Sequence, residues 1–246
     1  MAKQVIPLSD LPIVSKKTIS DIFKDIFPGG TAILIDKPLE WSSFDAVRYV
    51  RNRIPPKKVG HAGTLDPLAT GLLVICTGKA TRTISQIQDG EKEYITTVKF
   101  GESTPSYDAA LPPDDTAEWE HITRSMIESI IENQFTGTIT QLPPVYSAIK
   151  VEGERLYKKA RRGDENVKLP PRQVTIKSIE ILDERFPELD LKIVCGKGTY
   201  IRSIAHDLGK VANSLAHVTS LRRTRIGEFS VDDALTPQEF DAHLKS

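Results

Sequence analysis

Between Val59 and Leu73 the chain reads Val-Gly-His-Ala-Gly-Thr-Leu-Asp-Pro-Leu-Ala-Thr-Gly-Leu-Leu. Three glycines, His61 and the Asp66-Pro67 pair stand immediately before an apolar run. Glycine tolerates backbone angles that other residues resist and lets a ligand approach the chain closely. A residue before proline is held out of the helical region, so the Asp66 carboxylate projects from a stiff turn. A carboxylate fixed beside a concave glycine loop can serve as nucleophile or base. The plainer alternative is a cap on a helical turn, with Pro67 at its first position. The chain has no G-x-x-x-x-G-K-[ST] loop and no H-E-x-x-H pair, so nucleotide hydrolysis and zinc chemistry lose support.

The elements that must position this loop are legible as periodicities. Ile19, Ile22, Phe23, Ile26 and Phe27 sit at helical spacing and predict a helix over 18–27, stopped by Pro28-Gly29-Gly30. Residues 31–35 and 72–77 read as buried strands. Ser42 or Ser43 caps a helix with Ala46, Val47 and Val50 inside and Arg48 and Arg51 outside. Residues 94–100 alternate as a strand. Helices are expected at 123–135 (Met126, Ile127, Ile130, Ile131 and Phe135 inside) and 200–212 (Ile201, Ile204, Ala205 and Leu208 inside). Further strands are expected at 145–151, 173–182 and 189–195, and an exposed acidic loop at 105–118. Strands and helices interleave without a repeating βα unit, which favours a mixed α+β domain over a doubly wound sheet.

Composition excludes several classes. The 246 residues are 39% hydrophobic and 27% charged, which suits a globular chain with a buried core. No apolar run approaches ~18 residues, which excludes a membrane-spanning helix, and the first twenty residues lack a secretory apolar stretch. Two cysteines, Cys76 and Cys195, sit in apolar runs, which suits a reducing cytoplasm. The net charge is zero but uneven. Residues 1–90 carry 12 basic and 8 acidic side chains, residues 91–147 carry 3 and 10, residues 148–225 carry 17 and 10, and the remainder 1 and 5. Two basic runs stand out: Arg48, Arg51, Arg53, Lys57 and Lys58 before the glycine loop, and Arg155, Lys158, Lys159, Arg161 and Arg162 further on. Such runs can contact phosphates or simply form solvated faces.

Residues 60–71, Gly-His-Ala-Gly-Thr-Leu-Asp-Pro-Leu-Ala-Thr-Gly, resemble the catalytic motif of the TruB family of pseudouridine synthases. Other blocks agree in order: Asp36-Lys37-Pro38 with Ser42-Ser43; Lys92-Glu93-Tyr94; residues 141–150 with Gly153, Leu156 and Tyr157; residues 197–203; and Ala216-His217-Val218 with Leu221-Arg222-Arg223. The resemblance implies the pseudouridine synthase fold, α+β with a central, largely antiparallel sheet flanked by helices. It implies isomerisation of uridine 55 in the T stem-loop of tRNA. That reaction breaks the N1–C1′ bond, turns the base and rejoins it through C5. It is redox-neutral and hydrolyses nothing, so neither cofactor nor metal is expected.

The same resemblance assigns roles. Asp66 is the catalytic carboxylate, attacking sugar or base or abstracting a ribose proton. Arg202 is its partner, since a paired guanidinium lowers a carboxylate pKa by roughly 1–3 units and fixes it through parallel bonds. Tyr94 stacks on the uracil or moves a proton, unless it is core. His61 is a wedge or hydrogen-bonding group beside the displaced base, which must leave its stack to be reached. Tyr200 and Leu221 are candidates for the pocket wall or for ordinary core, and Lys37 supports the loop.

The chain departs from the family in four places. Glu40 stands where a glycine is usual. Thr104-Pro105-Ser106-Tyr107-Asp108 replaces Thr-Asp-Thr-x-Asp. Residues 1–29 precede the usual start, and the chain ends soon after Val231. The expected organisation is an N-terminal extension at 1–29, a catalytic domain at 30–233 and a short helix or tail at 234–246, without a second RNA-binding domain. A monomer with tRNA as its partner is expected, with no membrane and no obligatory protein partner. Two rivals remain: an RNA-folding module, which the presence of Asp66, Tyr94 and Arg202 disfavours, and the RNA-guided relative typified by dyskerin.

Overall fold

Apolar runs bounded by glycine and proline form strands in this chain, and the amphipathic stretches form helices. The computed structural model describes residues 5–18, 22–23, 26–55, 58–146, 150–151, 154–155 and 170–245. In chain order its elements are β1 (Ile13–Val14), β2 (Ile22–Phe23), β3 (Ala32–Lys37), α1 (Ser43–Arg51), β4 (Val59–His61), β5 (Ala69–Thr77), α2 (Ile84–Asp89), β6 (Lys92–Phe100), β7 (Glu102–Ser103) and β8 (Asp115–Thr116). There follow α3 (Arg124–Gln134), β9 (Gly137–Gln141), β10 (Lys150–Val151), β11 (Glu154–Arg155), β12 (Arg172–Arg185), β13 (Glu188–Cys195), α4 (Ile201–Val211), β14 (Ala216–Ile226), β15 (Phe229–Ser230), α5 (Pro237–His243) and β16 (Leu244–Lys245). Contacts divide the chain into Met1–Tyr94 with Arg222–Ser246, and Ile95–Leu221.

In the first unit the strand order is β1-β3-β5, then the end of β14 and the start of β6, with β4 on β5. β3 and β5 are antiparallel, from Ala32 opposite Cys76 to Lys37 opposite Gly71. That register sets Asp36 and Lys37 at the mouth of the 62–68 loop. Both strands are buried on both faces, which is why they read as continuous apolar runs. Leu34, Leu72 and Val74 pack with Leu11, Ile226 and Phe229. Ile33, Ile35, Leu73 and Ile75 pack with Val47, Val50 and Phe240. β1 pairs parallel with β3 (Ile13 opposite Ala32) and brings Leu11 and Val14 into the core.

The helix expected over 18–27 is not what forms, because Ile22–Phe23 pairs as a parallel strand with Leu244–Lys245. A ten-residue amphipathic stretch is a marginal helix by itself, and tertiary pairing outweighs its periodicity. Phe27 is fully buried, edge-on to Phe240 at 6.4 Å.

In the second unit the order is the start of β14, the rest of β6, then β13-β12-β9. β12 is antiparallel to both β13 (Arg185 opposite Glu188) and β9 (Arg172 opposite Gln141). Thr123 caps α3, which buries Ile127, Ile130 and Ile131, and α4 buries Ile201, Ile204, Ala205 and Leu208. Apart from β1 with β3 and β2 with β16, the described pair registers are antiparallel. The chain is thus a mixed α+β fold, as expected. Two expectations are corrected. Val145 and Tyr146 lie in a bend rather than a strand, and β9 takes the edge position beside β12. The acidic loop is exposed from Ala109 on, but Thr104, Ser106 and Asp108 are buried, for a reason given below.

Candidate active site

The 62–68 loop is fixed from three sides. Ser42 caps α1 in a capping box with Asp45, its Oγ accepting from the Asp45 N–H. This places Ser43 at the first helical turn, where its Oγ accepts from the Leu65 N–H (2.8 Å) and donates to the Leu65 carbonyl (3.1 Å). Asp66 follows at once. Its carbonyl accepts from the Ala69 N–H at 3.0 Å, closing a four-residue turn with Pro67 in the second position. The Asp66 residue is half-buried.

Lys37 forms the second wall. It is fully buried, and its Nζ donates to the carbonyls of Trp41 (2.6 Å), Pro38 (2.9 Å) and Pro67 (3.4 Å). Burial pushes its ammonium down to about 8, against the upward pull of the Asp66 carboxylate, with the Arg223 charge lowering it further. It therefore stays mainly protonated at neutral pH, and its charge faces the turn it braces. Glu40 supports the same point, donating its N–H to the Pro67 carbonyl at 2.9 Å from a left-handed backbone, φ +67°.

The third wall is Arg223 on β14, only 1% exposed. Its Nε donates to the Leu72 carbonyl (2.8 Å), Nη2 to Gly63 (3.1 Å) and Nη1 to Thr64 (3.4 Å). Gly71, at φ +100°, lies so close that a Cβ there would stand 2.2 Å from the Arg223 carbonyl oxygen, so only glycine fits. Just beyond the loop, Arg222 holds Asp36 through two bonds (2.7 and 3.0 Å) and reaches Thr70 Oγ1 at 3.4 Å. His61 enters from β4, opposite Ile75. Burial lowers its pKa, the Gly63 backbone opposes this, and the Arg223 charge adds to it, so the imidazole is neutral at pH 7. Tyr94 is buried on β6, on the same face as Lys92.

The second unit holds the other expected residues. Arg202, 4% exposed, donates to the carbonyls of Ser106 (2.8 Å) and Tyr146 (3.0 Å), and its Nη1 lies 3.4 Å from Asp108 Oδ2. Asp108 Oδ1 accepts from Ser106 Oγ (2.6 Å) and the Ala110 N–H (3.0 Å). A buried guanidinium needs such partners, and this is what draws Ser106 and Asp108 inward. The Tyr200 backbone is bonded both ways by the Gln141 side chain, and Arg172 lies 5.0 Å over the Tyr200 ring. Ser203 Oγ donates to the Leu142 carbonyl at 2.7 Å. Leu221, on β14, is half-buried.

Asp66, His61, Lys37 and Tyr94 thus lie in the first unit, and Arg202, Tyr200 and Leu221 in the second. Sequence reasoning missed Arg223, the Arg222–Asp36 pair and Asp108. Each carried a signal without a role: Asp36, Arg222 and Arg223 stand in the family-like blocks, and Asp108 is the acid left standing in the altered 104–108 segment. Of the first basic run, Arg53 is engaged by Asp241 (2.7 Å) and lies 3.5 Å over the Tyr49 ring, which removes it from phosphate contact. Lys57, Lys158, Lys159, Arg161, Arg162, the side chain of Arg155 and the Gly153, Leu156 and Tyr157 positions lie outside what is described. Among the described residues no helix is long and apolar enough to cross a membrane.

The model of the TruB family pseudouridylate synthase N-terminal domain matches residues 51–201, and that of the tRNA pseudouridylate synthase B C-terminal domain matches residues 202–245. Proteins named tRNA pseudouridine synthase B are similar along most of their length. That of Parabacteroides distasonis is 47% identical over 89% of this chain and 95% of its own. That of Flavobacterium johnsoniae is 49% identical over 88% and 96%, and that of Bordetella pertussis 42% over 85% and 86%. Among solved structures, a chain of a Cbf5-Nop10-Gar1 complex aligns with a TM-score of 0.66 and 25% identity over 96% of this chain and 59% of that one. A chain of an H/ACA RNP bound to a substrate RNA containing 2′-deoxyuridine aligns at 0.63 and 22%, over 97% and 57%, and shows the fold alone. This chain spans little more than half the length of those solved chains.

Proposed function

The chain belongs to the TruB family of pseudouridylate synthases, and from that premise we propose that it isomerises uridine 55 in the T stem-loop of tRNA to pseudouridine. The observation that carries this reading is the Asp66 turn, held rigid by Ser43, Lys37 and Arg223 inside the family-matched segment. A carboxylate in a pinned turn meets the uridine without first losing its own freedom, which is how positioning lowers a barrier. The buried Lys37 ammonium and the Asp66 carboxylate attract each other by charge.

Arg202 is the expected partner of Asp66, and Tyr94 the aromatic that stacks on the uracil or moves a proton. His61, neutral and half-buried, serves as a wedge or hydrogen-bonding group beside the displaced base. Tyr200 and Leu221 line the pocket, and Lys37 braces the turn without reacting. The enzyme works as a monomer in the cytoplasm, with tRNA as its partner and no obligatory protein. Its chemistry is redox-neutral and is carried by these side chains.

Pseudouridine mapping of total tRNA, from cells with and without this protein, tests the reading. The expected result is loss of the modification at position 55 alone and its restoration by purified protein. Retention at 55 in the deleted strain, or modification at another site only, overturns it. Light scattering of the purified protein, with and without tRNA, tests the monomer.

A further inference from the structure

α1 buries Ser43, Ala46, Val47 and Val50 and leaves Phe44, Arg48 and Arg51 exposed. These three stand at i, i+4 and i+7, the spacing of one helix face. Phe44 is 59% exposed, and Leu39 in the preceding turn 55%. The cap is supplied by Ser42, so the ring serves neither core nor cap. The Arg51 guanidinium carbon lies 6.0 Å from the Phe44 ring centroid, and Arg48 pairs with Asp45 at 2.8 Å. An open aromatic face on a ridge with two guanidinium groups suits a nucleic acid, the base stacking on the ring and the backbone meeting the cations. The ridge is also fixed relative to the Asp66 turn, because Ser43, beside Phe44, exchanges two hydrogen bonds with Leu65.

We infer that the Phe44–Arg48–Arg51 ridge is a second contact for the RNA substrate. Phe44 stacks on a nucleobase other than the target uridine, and Arg51 meets a neighbouring phosphate. The inference rests on the proposed function and extends it from the reacting base to the way RNA is held. Charge complementarity selects the occupant: the Arg51 cation lies over the ring, while the acid on that turn, Asp45, is committed to Ser42 and shares its charge with Arg48. A lone exposed phenylalanine is ordinary on a protein surface. One in register with two arginines, one residue from the side chain that holds the reactive loop, is a placed group.

The test uses the full-length protein and a T-arm hairpin transcript. Phe44→Ala and Phe44→Leu are expected to raise KM about tenfold, while Phe44→Trp, which keeps a π face, stays within about twofold. The rate at saturating RNA and the melting temperature should hold in all three. Arg51→Ala should reduce the log–log salt slope of binding by about 0.7–0.9. A KM for Phe44→Ala within about twofold of wild type overturns the inference alone, provided the wild type modifies the hairpin. A leucine variant as good as wild type also overturns it, since the ridge would then be an apolar face suited to a protein. Wild-type protein that makes no pseudouridine in hairpin or tRNA overturns the functional reading, and this inference with it.

Discussion

Each unit buries an arginine, and the two are satisfied differently. Arg223 in the first unit donates to three main-chain carbonyls, those of Leu72, Gly63 and Thr64. Arg202 in the second donates to the carbonyls of Ser106 and Tyr146 and also faces the Asp108 carboxylate. A planar guanidinium carries its donors in a rigid fork, whereas the Lys37 ammonium reaches its three carbonyls from a single nitrogen. Arg223 therefore sets the shape of the reactive loop. Arg202 gathers the 104–108 segment and the chain at Tyr146 around the start of α4, with an acid beside it. Bracing and charge balance are separable jobs, and the variants below separate them.

The largest effect is expected at the group that the first unit braces. Asp66→Asn keeps the shape of the turn and loses the charge. Single-turnover pseudouridine formation should fall more than about 10³-fold, roughly 4 kcal/mol of barrier, with tRNA binding nearly intact. A rate within about tenfold of wild type would show that the braced turn serves something other than a reacting carboxylate.

The arginines come next. Arg223→Met leaves three main-chain carbonyls without their donor and should destabilise the protein by about 2–4 kcal/mol in urea unfolding, at roughly 1–3 per buried unsatisfied group less the relief of a buried charge. Arg202→Lys should cost activity more than stability: a fall in kcat of about tenfold or more, with the urea midpoint little changed. If Arg202→Lys and Arg223→Met behave alike in both measurements, the division between bracing and charge balance is wrong.

What sequence reveals follows the same division. α1, α3 and α4 are legible because each buries one apolar face at helical spacing, and β6 because it alternates. Asp66, His61 and Lys37 are legible because their neighbours form a motif. Arg223 stands in a motif too, but its bracing role is not legible, because its partners are main-chain carbonyls, which every residue carries. The Arg222–Asp36 pair joins positions 186 apart and exists only through the β3-β5-β14 order. β9 escapes notice because its five residues offer a single large apolar side chain, Ile139, and its place is set by pairing with β12. Ile22–Phe23 misleads for the converse reason, a local pattern outweighed by a partner at the far end of the chain.

Lys37 tests the first unit by pH. Its pKa of about 8 lies below the unfolded value of 10.5, so the unfolded state holds more protons between the two. Stability from this group therefore rises with pH through that window, by up to about 1.4 kcal/mol per unit, and is flat below it. Burial pushes Cys76 from 9.0 up to about 12, which acts oppositely above pH 9, so the contribution of Lys37 is read between pH 8 and 9. Lys37→Met should remove that rise, and a slope identical in the variant would mean the buried ammonium is not its source.

The smallest effects compare two strained residues, one in each unit. Glu40 (φ +67°) and Tyr107 (φ +61°) occupy left-handed backbone that favours glycine. At Glu40 the side chain is exposed, and the backbone N–H makes the useful bond, to the Pro67 carbonyl. Glycine keeps that bond and relieves about 1–2 kcal/mol of left-handed cost, less the 0.5–1 it gives up in chain entropy, so Glu40→Gly should stabilise by about 0.5 kcal/mol. Tyr107 differs because its ring stacks on His206, centroids 3.7 Å apart and planes within 11°. There the stacking offsets the strain, and Tyr107→Gly should destabilise by about 1 kcal/mol once the lost stack is set against the relieved backbone. Urea midpoints of the two glycine variants, measured side by side at pH 7, should move in opposite directions. Movement in the same direction would mean that backbone strain alone, and not what the side chain touches, decides both positions.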